Sequence, residues 1–350
     1  MKIAVFLPGW VGDVVMATPA IRALRQQFAG ARLLGVHKPY VAGVLEGSTW
    51  FDRLVPLNGN SWKQGMTATA WQLRQEGVDL AVLFPNSFRA AMVAWLGGCK
   101  RIVGYVRYGR GPLLTDALEP ERQPDGRIRV SPIVTAYNRL VEVVGCPSPG
   151  HDLELFTTEA DERAVDGVWA AAGYASYPEV ICLNPGAAFG AAKHWPNEYF
   201  ARLAADLVDR RGCGVLVTCG PSERGQAAEI VARAGRLPVH SLGELATTAG
   251  VSLSLGLTKG CIRRADLLVT ADSGPRHFAH AFDRPVVTLF GPTHIAWTET
   301  YHPRAVHLQR PVPCGPCQQR VCPLGHHQCM KDLLPGEVIQ AAEALLQGDS

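Results

Sequence analysis

The chain has 350 residues, 47% of them hydrophobic and 19% charged, with a formal net charge of +3. At about 100–200 residues per domain, that length predicts two domains, each able to bury its own core, and so apolar a chain with so little net charge is not of the disordered class. No run of about 18 apolar residues occurs, which excludes a membrane-spanning helix, and the opening MKIAVFLPGWVGDVV, broken by Pro8 and Gly9, reads as a first strand rather than a signal peptide. The expectation is a soluble, cytoplasmic protein.

Residues 2–7 (KIAVFL) read as a buried strand. Residues 13–28, apolar at Val14, Val15, Ala17, Ile21, Leu24 and Phe28, read as a helix. Strands are predicted at 32–36, 53–57, 80–84 and 101–105, and helices at about 68–75, 87–96 and 132–144. After residues 147–150 and an acidic stretch the alternation starts again: strand 180–183, helix 197–209, strand 214–219, helix 222–234, strand 267–270, helix 274–282 and strand 286–290. Alternation of this kind predicts an α/β fold with parallel sheets covered by helices. It occurs twice, with a break near residues 147–178. The reading is therefore two Rossmann-like domains, residues 1–165 and 166–350, whose sheets direct their loops into one central cleft.

Four loops at the ends of these strands carry candidate chemistry. The turn after the first strand, Pro8-Gly9-Trp10-Val11-Gly12-Asp13, lacks one glycine of the dinucleotide fingerprint, which disfavours a nicotinamide site. Its two glycines let the backbone approach a ligand. On spacing alone, capping the helix is the simpler role for Asp13, and taking a proton at a cleft mouth is the other. Asp272-Ser273-Gly274-Pro275-Arg276-His277 opens a helix after a strand, where exposed amides and the helix dipole suit a phosphate. Asn184-Pro185-Gly186 is followed by Lys193, a point charge for a diphosphate. Gly220-Pro221-Ser222-Glu223 ends in a carboxylate that either favours a helix dipole or holds ribose hydroxyls.

In that order, GxxGD, N-P-G with K-x-W, G-P-x-E, and D-S-G-x-x-H followed by F-G-P-T, the motifs resemble the ADP-heptose:lipopolysaccharide heptosyltransferases of glycosyltransferase family 9, most closely the heptosyltransferase II members. The resemblance covers nearly the whole chain and is most specific over residues 272–293. It implies a GT-B fold, with the acceptor in the N-terminal half and the nucleotide-sugar in the C-terminal half. It also implies inverting, metal-independent transfer of heptose from ADP-heptose to a lipopolysaccharide core of the Kdo-lipid A type. Asp13 becomes the general base and Lys193 the group meeting the diphosphate. Gly12, Gly186, Glu223, Asp272, Ser273, Gly274 and His277 become the ligand-binding set. No cofactor, metal or nucleic acid is implied. Arg276 stands where a small or apolar residue is expected. The alternatives are a family-9-like transferase with another donor or acceptor, and a non-catalytic nucleotide-sugar-binding protein.

Two features lie outside the motifs. Residues 1–150 hold 17 Lys and Arg against 10 Asp and Glu, while residues 151–350 hold 17 against 21. The basic half, with Arg101, Arg107, Arg110, Arg122, Arg127 and Arg129 in one stretch, is expected to hold acceptor anions and to dock the enzyme on the inner face of the cytoplasmic membrane. Cys314, Cys317, Cys322 and Cys329, with His326 and His327 among them, form a Cys-rich loop. Four-thiolate zinc sites use short spacings of this kind, but these are not two C-x2-C pairs and similar cysteines recur in the resembled family. The cluster is read as a metal-free, loop-packing one, reduced or partly disulfide-bonded.

Overall fold

The computed structural model describes residues 1–58 and 65–347. The chain forms two compact units, one of residues 1–156 with 296–300, the other of residues 157–295 with the chain from 301 onward. The boundary expected at 165/166 falls inside a helix of the second unit.

In the first unit the strands are β1 (Lys2–Phe6), β2 (Arg32–His37), β3 (Arg53–Pro56), β4 (Leu80–Leu83), β5 (Arg101–Tyr105) and β6 (Asp116–Leu118). All pairings are parallel, in the order β3-β2-β1-β4-β5-β6. Helices α1 (Val11–Met16), α2 (Thr18–Gln27), α3 (Ala42–Leu45), α4 (Thr67–Glu76), α5 (Phe88–Leu96) and α6 (Ile133–Glu142) connect them. The central strands β1 and β4 are apolar because helices cover both faces of a parallel sheet. Each fully buried Val, Leu or Ile contributes about 1.5–3 kcal/mol.

The second unit repeats this arrangement. Its strands are β7 (Val180–Asn184), β8 (Gly214–Val217), β9 (Val239–Ser241), β10 (Leu267–Ala271), β11 (Val286–Phe290) and β12 (Ala305–Gln309). They are again parallel, in the order β12-β11-β10-β7-β8-β9. Its helices are α7 (Glu159–Ala172), α8 (Asn197–Arg211), α9 (Arg224–Ala234), α10 (Leu242–Thr248), α11 (Leu255–Arg264), α12 (Pro275–Ala281), α13 (Gln328–Lys331) and α14 (Pro335–Gln347). Read from its own first strand, the second sheet has the strand order of the first, the doubly wound order. Among the described residues, no helix is long and apolar enough to cross a membrane.

The single helix expected over 13–28 is two. It breaks at Ala17 because Pro19 has no N–H to continue the ladder. The Val15 carbonyl is capped instead by the Thr18 hydroxyl at 2.7 Å. Strands β6, β9 and β12 were not expected. Each is an edge strand, and two are only three residues long, too short to show a pattern. The acidic stretch after residue 150 opens α7, where Thr158 and Asp161 form a reciprocal capping box with bonds of 3.1 and 2.8 Å.

Two of the arginines expected to hold acceptor anions are occupied in the fold. Arg101 makes a bidentate pair with Asp116, at 2.7–3.1 Å, between β5 and β6. Arg110 is fully buried. Its guanidinium donates to the Tyr105 carbonyl at 2.8 Å, the Asn86 side-chain oxygen at 3.0 Å and the carbonyls of Pro85 and Ser87. Burial, and then the charge of Arg107, lower its pKa to about 10, so it stays charged near neutral pH as a brace for the loop after β4.

The capping box gives a test of the α7 assignment. Thr158→Ala should lower stability by about 1 kcal/mol. Urea unfolding should show this as an earlier midpoint with an unchanged slope.

Candidate functional site

In each sheet the strand order reverses once, between β1 and β4 in the first and between β7 and β10 in the second. Neighbouring strands there send their chains to opposite sides, so their carboxyl-end loops splay and leave a crevice. The expected site residues are distributed over these two places.

In the first unit the loops after β1 and β4 border a cavity of about 870 Å³, lined among others by Trp10, Asp13, Lys38, Asn86, Ser87 and Tyr137. Asp13 is the third residue of α1 and not its cap. Trp10 holds the cap position without a side-chain bond, so the capping role that spacing favoured is not taken. Instead the Asp13 carboxylate lines the cavity. Tyr137 lies beside it, and burial first, then the Asp13 charge, push the Tyr137 hydroxyl well above the usual phenol range. Gly12 is buried in α1, and the glycine on the cavity wall is Gly9. A side chain at Gly9 would meet the Lys38 ammonium, since a Cβ there would lie 3.0 Å from Lys38 Nζ. Tyr40 donates its hydroxyl hydrogen bond to the Gly9 carbonyl and faces Lys38 across 5.7 Å. A carboxylate and an ammonium therefore share one cavity mouth.

In the second unit the organising residue is Asn184, the last of β7 and the register partner of Thr270 on β10. Its amide nitrogen reaches Thr270 Oγ1 and Ser273 Oγ, both at 3.0 Å, and the Gly186 carbonyl at 3.2 Å. Its oxygen accepts from Thr218 Oγ1 at 3.1 Å. One buried amide thus ties together the loops after β7, β8 and β10. In the sequence it stands out as the first residue of the Asn184-Pro185-Gly186 motif, which gives no hint of its tying role.

Lys193 sits in a one-turn 3-10 helix, Ala191–Lys193, and is buried. Its Nζ donates to Asp272 Oδ2 at 2.5 Å and to the Asp272 carbonyl at 3.1 Å, with the Phe189 ring 4.8 Å away. Trp195, two residues on, anchors this turn: it is buried against Phe200 and donates from Nε1 to the Leu333 carbonyl at 2.8 Å. Asp272 also accepts from Thr293 Oγ1 at 2.7 Å and lies 3.6 Å from Arg276 Nη1. Burial works to raise the Asp272 pKa, but the charges of Lys193 and Arg276 and the hydrogen bonds from Lys193 and Thr293 outweigh it, so the carboxyl titrates below its ordinary 3.8. Asp272 therefore does not cap α12, whose cap position is Gly274 with no side-chain bond. Arg276, unexpected from the motifs, supplies the second buried cation.

Glu223 closes the far side of this unit's site. Its Oε2 accepts from the Gly220 amide at 2.8 Å, and a Cβ at Gly186 would collide with its carboxylate, so Gly186 is required for the close approach. His277 is buried, and its Nδ1 has no hydrogen-bond partner among the described residues. Burial first, then Arg276, hold its pKa well below 6.5, which leaves the ring neutral. The fold thus brings Gly186, Lys193, Glu223, Asp272, Ser273, Gly274 and His277 to one end of one sheet, with Gly12 and Asp13 at the corresponding end of the other.

The ten cysteines are free thiols. The six scattered ones are buried, while Cys314 is exposed and Cys317, Cys322 and Cys329 are half-buried. These four line one recess of about 40 Å³ with His326, whose Nε2 is 3.8 Å from Cys314 Sγ. Among the described residues, no group of three or more His, Cys, Asp or Glu side chains is arranged to hold a metal ion.

The chain is similar to known proteins along nearly its whole length. The profile of glycosyltransferase family 9 (heptosyltransferase) matches residues 66–328. Lipooligosaccharide heptosyltransferase 2 of Campylobacter jejuni is 27% identical, and lipopolysaccharide heptosyltransferase 2 of Escherichia coli K12 is 26% identical, each over 99% of both chains. The solved structure of ADP-heptose lps heptosyltransferase II from E. coli superposes with a TM-score of 0.77 at 24% identity, covering 100% of this chain and 99% of that one. It shares the fold of two parallel six-stranded sheets, the GT-B fold.

The Asp272 cluster makes a pH-dependent prediction. A carboxyl whose folded pKa lies below its unfolded value stabilises the protein fully above the unfolded value, and the contribution fades as pH falls through the folded one. Asp272→Asn removes the carboxylate that buried Lys193 and Arg276 both face and should cost about 3–5 kcal/mol near neutral pH. Stability of the two proteins compared by chemical unfolding should converge as pH drops below the ordinary carboxylate value of 3.8. A gap that persisted unchanged to the acid limit would contradict the lowered pKa.

Proposed function

The chain belongs to glycosyltransferase family 9, the heptosyltransferases, and is a glycosyltransferase that carries out heptosyl transfer in lipopolysaccharide core biosynthesis; from that premise we propose how its residues do so. The donor is ADP-heptose, held in the second unit. The acceptor is a lipopolysaccharide inner core of the Kdo-lipid A type, held in the first. The observation that carries this reading is that Asp13 and Lys193 each stand where the strand order reverses in their own sheet.

Asp13 takes the proton from an acceptor hydroxyl as its oxygen attacks the anomeric carbon, and the configuration inverts. Negative charge then grows on the departing diphosphate. Lys193 has three N–H bonds and gives two to Asp272, which leaves one for a phosphate oxygen. Lys193, Asp272 and Arg276 together carry one net positive charge in a buried place. That charge is fixed before the reaction and needs no reorganisation during it. Backbone amides near Gly274 add donors, and neutral His277 adds a ring nitrogen. Glu223, against Gly186, accepts from the nucleoside hydroxyls. A lysine and amides neutralise the leaving group, so the step is metal-independent.

We further infer that the enzyme works at the inner face of the cytoplasmic membrane, as a peripheral protein, because its acceptor is lipid-anchored and residues 1–150 are basic. Flotation with anionic vesicles but not with neutral ones is the expected result.

Incubation with ADP-heptose and truncated core acceptors, read by mass, tests the reaction: one heptose should be added to an acceptor already carrying one heptose and not to one carrying none. Asp13→Asn should keep the fold and donor affinity while losing about 10²–10⁴-fold in kcat. A near wild-type kcat in that variant would sink the role given to Asp13.

A further inference from the structure

The arginines crowded in one stretch of sequence are sorted by the fold into three groups. Arg101 and Arg110 are committed to internal partners. Arg122 and Arg127 stand on an exposed turn closed by the bridge from Arg122 to Ile128, where Arg122 bonds the Gly126 carbonyl at 2.9 Å and Arg127 lies 3.7 Å from Asp125. Arg107 and Arg129, joined by Arg139 from α6, line a second cavity of about 260 Å³ in the first unit.

This cavity adjoins the one that holds Asp13, because Asn86 and Ile133 line both. Its size suits a single sugar residue rather than a drug-sized molecule. Trp297, from the 296–300 segment that folds with this unit, forms part of the wall together with Tyr105. An indole face offers an apolar platform with a polar edge, which fits the C–H face of a sugar ring. The charge balance is uneven. Glu121 serves both Arg129, at 3.7 Å, and Arg139, at 3.3 Å, while among the described residues Arg107 has no carboxylate partner and lies 5.3 Å from the Tyr108 ring. With Glu119 included, three guanidinium groups face two carboxylates. A planar guanidinium with no carboxylate partner is a fork for a carboxylate or phosphate.

We propose that this chamber is a second acceptor subsite, holding an anionic sugar unit of the acceptor, one bearing a carboxylate or a phosphate, while the neighbouring unit presents its hydroxyl to Asp13. The proposal rests on the reading of the first unit as the acceptor side. It gives acceptor selection a location apart from the catalytic carboxylate.

The test separates the subsite from the reaction. The full chain, labelled with 5-fluorotryptophan, is titrated with a free 2-keto sugar acid and with a sugar monophosphate, without donor. The Trp297 resonance, identified by its loss in Trp297→Phe, should move saturably with at least one probe, and which probe moves it tells carboxylate from phosphate. Arg107→Glu and Arg129→Glu should each weaken that binding about tenfold, the scale of one charge-assisted hydrogen bond. In turnover they should raise the acceptor KM by a similar factor while the ADP-heptose KM holds. Unchanged thermal midpoints confirm that these substitutions, at half-buried Arg107 and exposed Arg129, leave the fold intact. Arg127→Glu makes the same charge change outside the chamber and should have little effect. The subsite is overturned if neither probe moves Trp297, or if Arg127→Glu weakens binding as much as Arg129→Glu. A wild-type chain that bound the probe at Trp297 but transferred no heptose would overturn the reaction and leave the subsite standing.

Discussion

Everything functional in this chain depends on a constraint of parallel sheets: where strand order reverses, consecutive crossovers leave on opposite faces and the loops part. The chain meets that constraint twice with the same order of six strands. Each opening must then be held in shape by something other than the ladder. In the second unit it is Asn184, whose amide joins neighbouring strands at their carboxyl ends. In the first it is Arg110, whose buried guanidinium holds the carbonyls of the loop after β4. Both are polar groups inside apolar surroundings, tolerable because their hydrogen-bonding capacity is met by backbone and side-chain oxygens.

The Asp272 cluster shows why a buried charge here is not simply a stabilising bond. Taking a carboxylate and two cations out of water is costly, and their mutual attraction offsets that cost only while all three remain. The arrangement makes sense as a fixed positive site. Asp272 holds the lysine in one place, Arg276 restores the positive balance, and Thr293 fills the remaining acceptor position. The lowered Asp272 pKa is the thermodynamic mark of that balance.

Much of this was legible in the sequence. Strong apolar runs such as those of β1, β7 and β10 announce themselves because both faces of a parallel strand are buried. The loop residues Asp13, Lys193 and Asp272 were visible because each closely follows such a run. What stayed hidden follows from physics that is not local. Edge strands β6, β9 and β12 are short or half-buried and carry little pattern. The break at Ala17 is the work of a proline two residues later. The capping role that spacing favoured for Asp13 fails because the helix starts at Val11, two residues earlier than the apolar period implies. Arg101 and Arg110 looked like surface charges because nothing in the sequence reveals that Asp116 and the Pro85 and Tyr105 carbonyls lie beside them.

The segment 296–300 has a consequence for inheritance. The chain passes between its units three times, and the short excursion places Trp297, encoded deep in the second half, in the wall of a first-unit chamber. The two halves are therefore not interchangeable cassettes. A recombination that grafted residues 1–156 onto a foreign second half would import a stranger's residue at that wall. On the proposed acceptor subsite, acceptor preference in such a chimera would follow neither parent alone, and drift in the gene's distal portion would retune what the proximal portion grips.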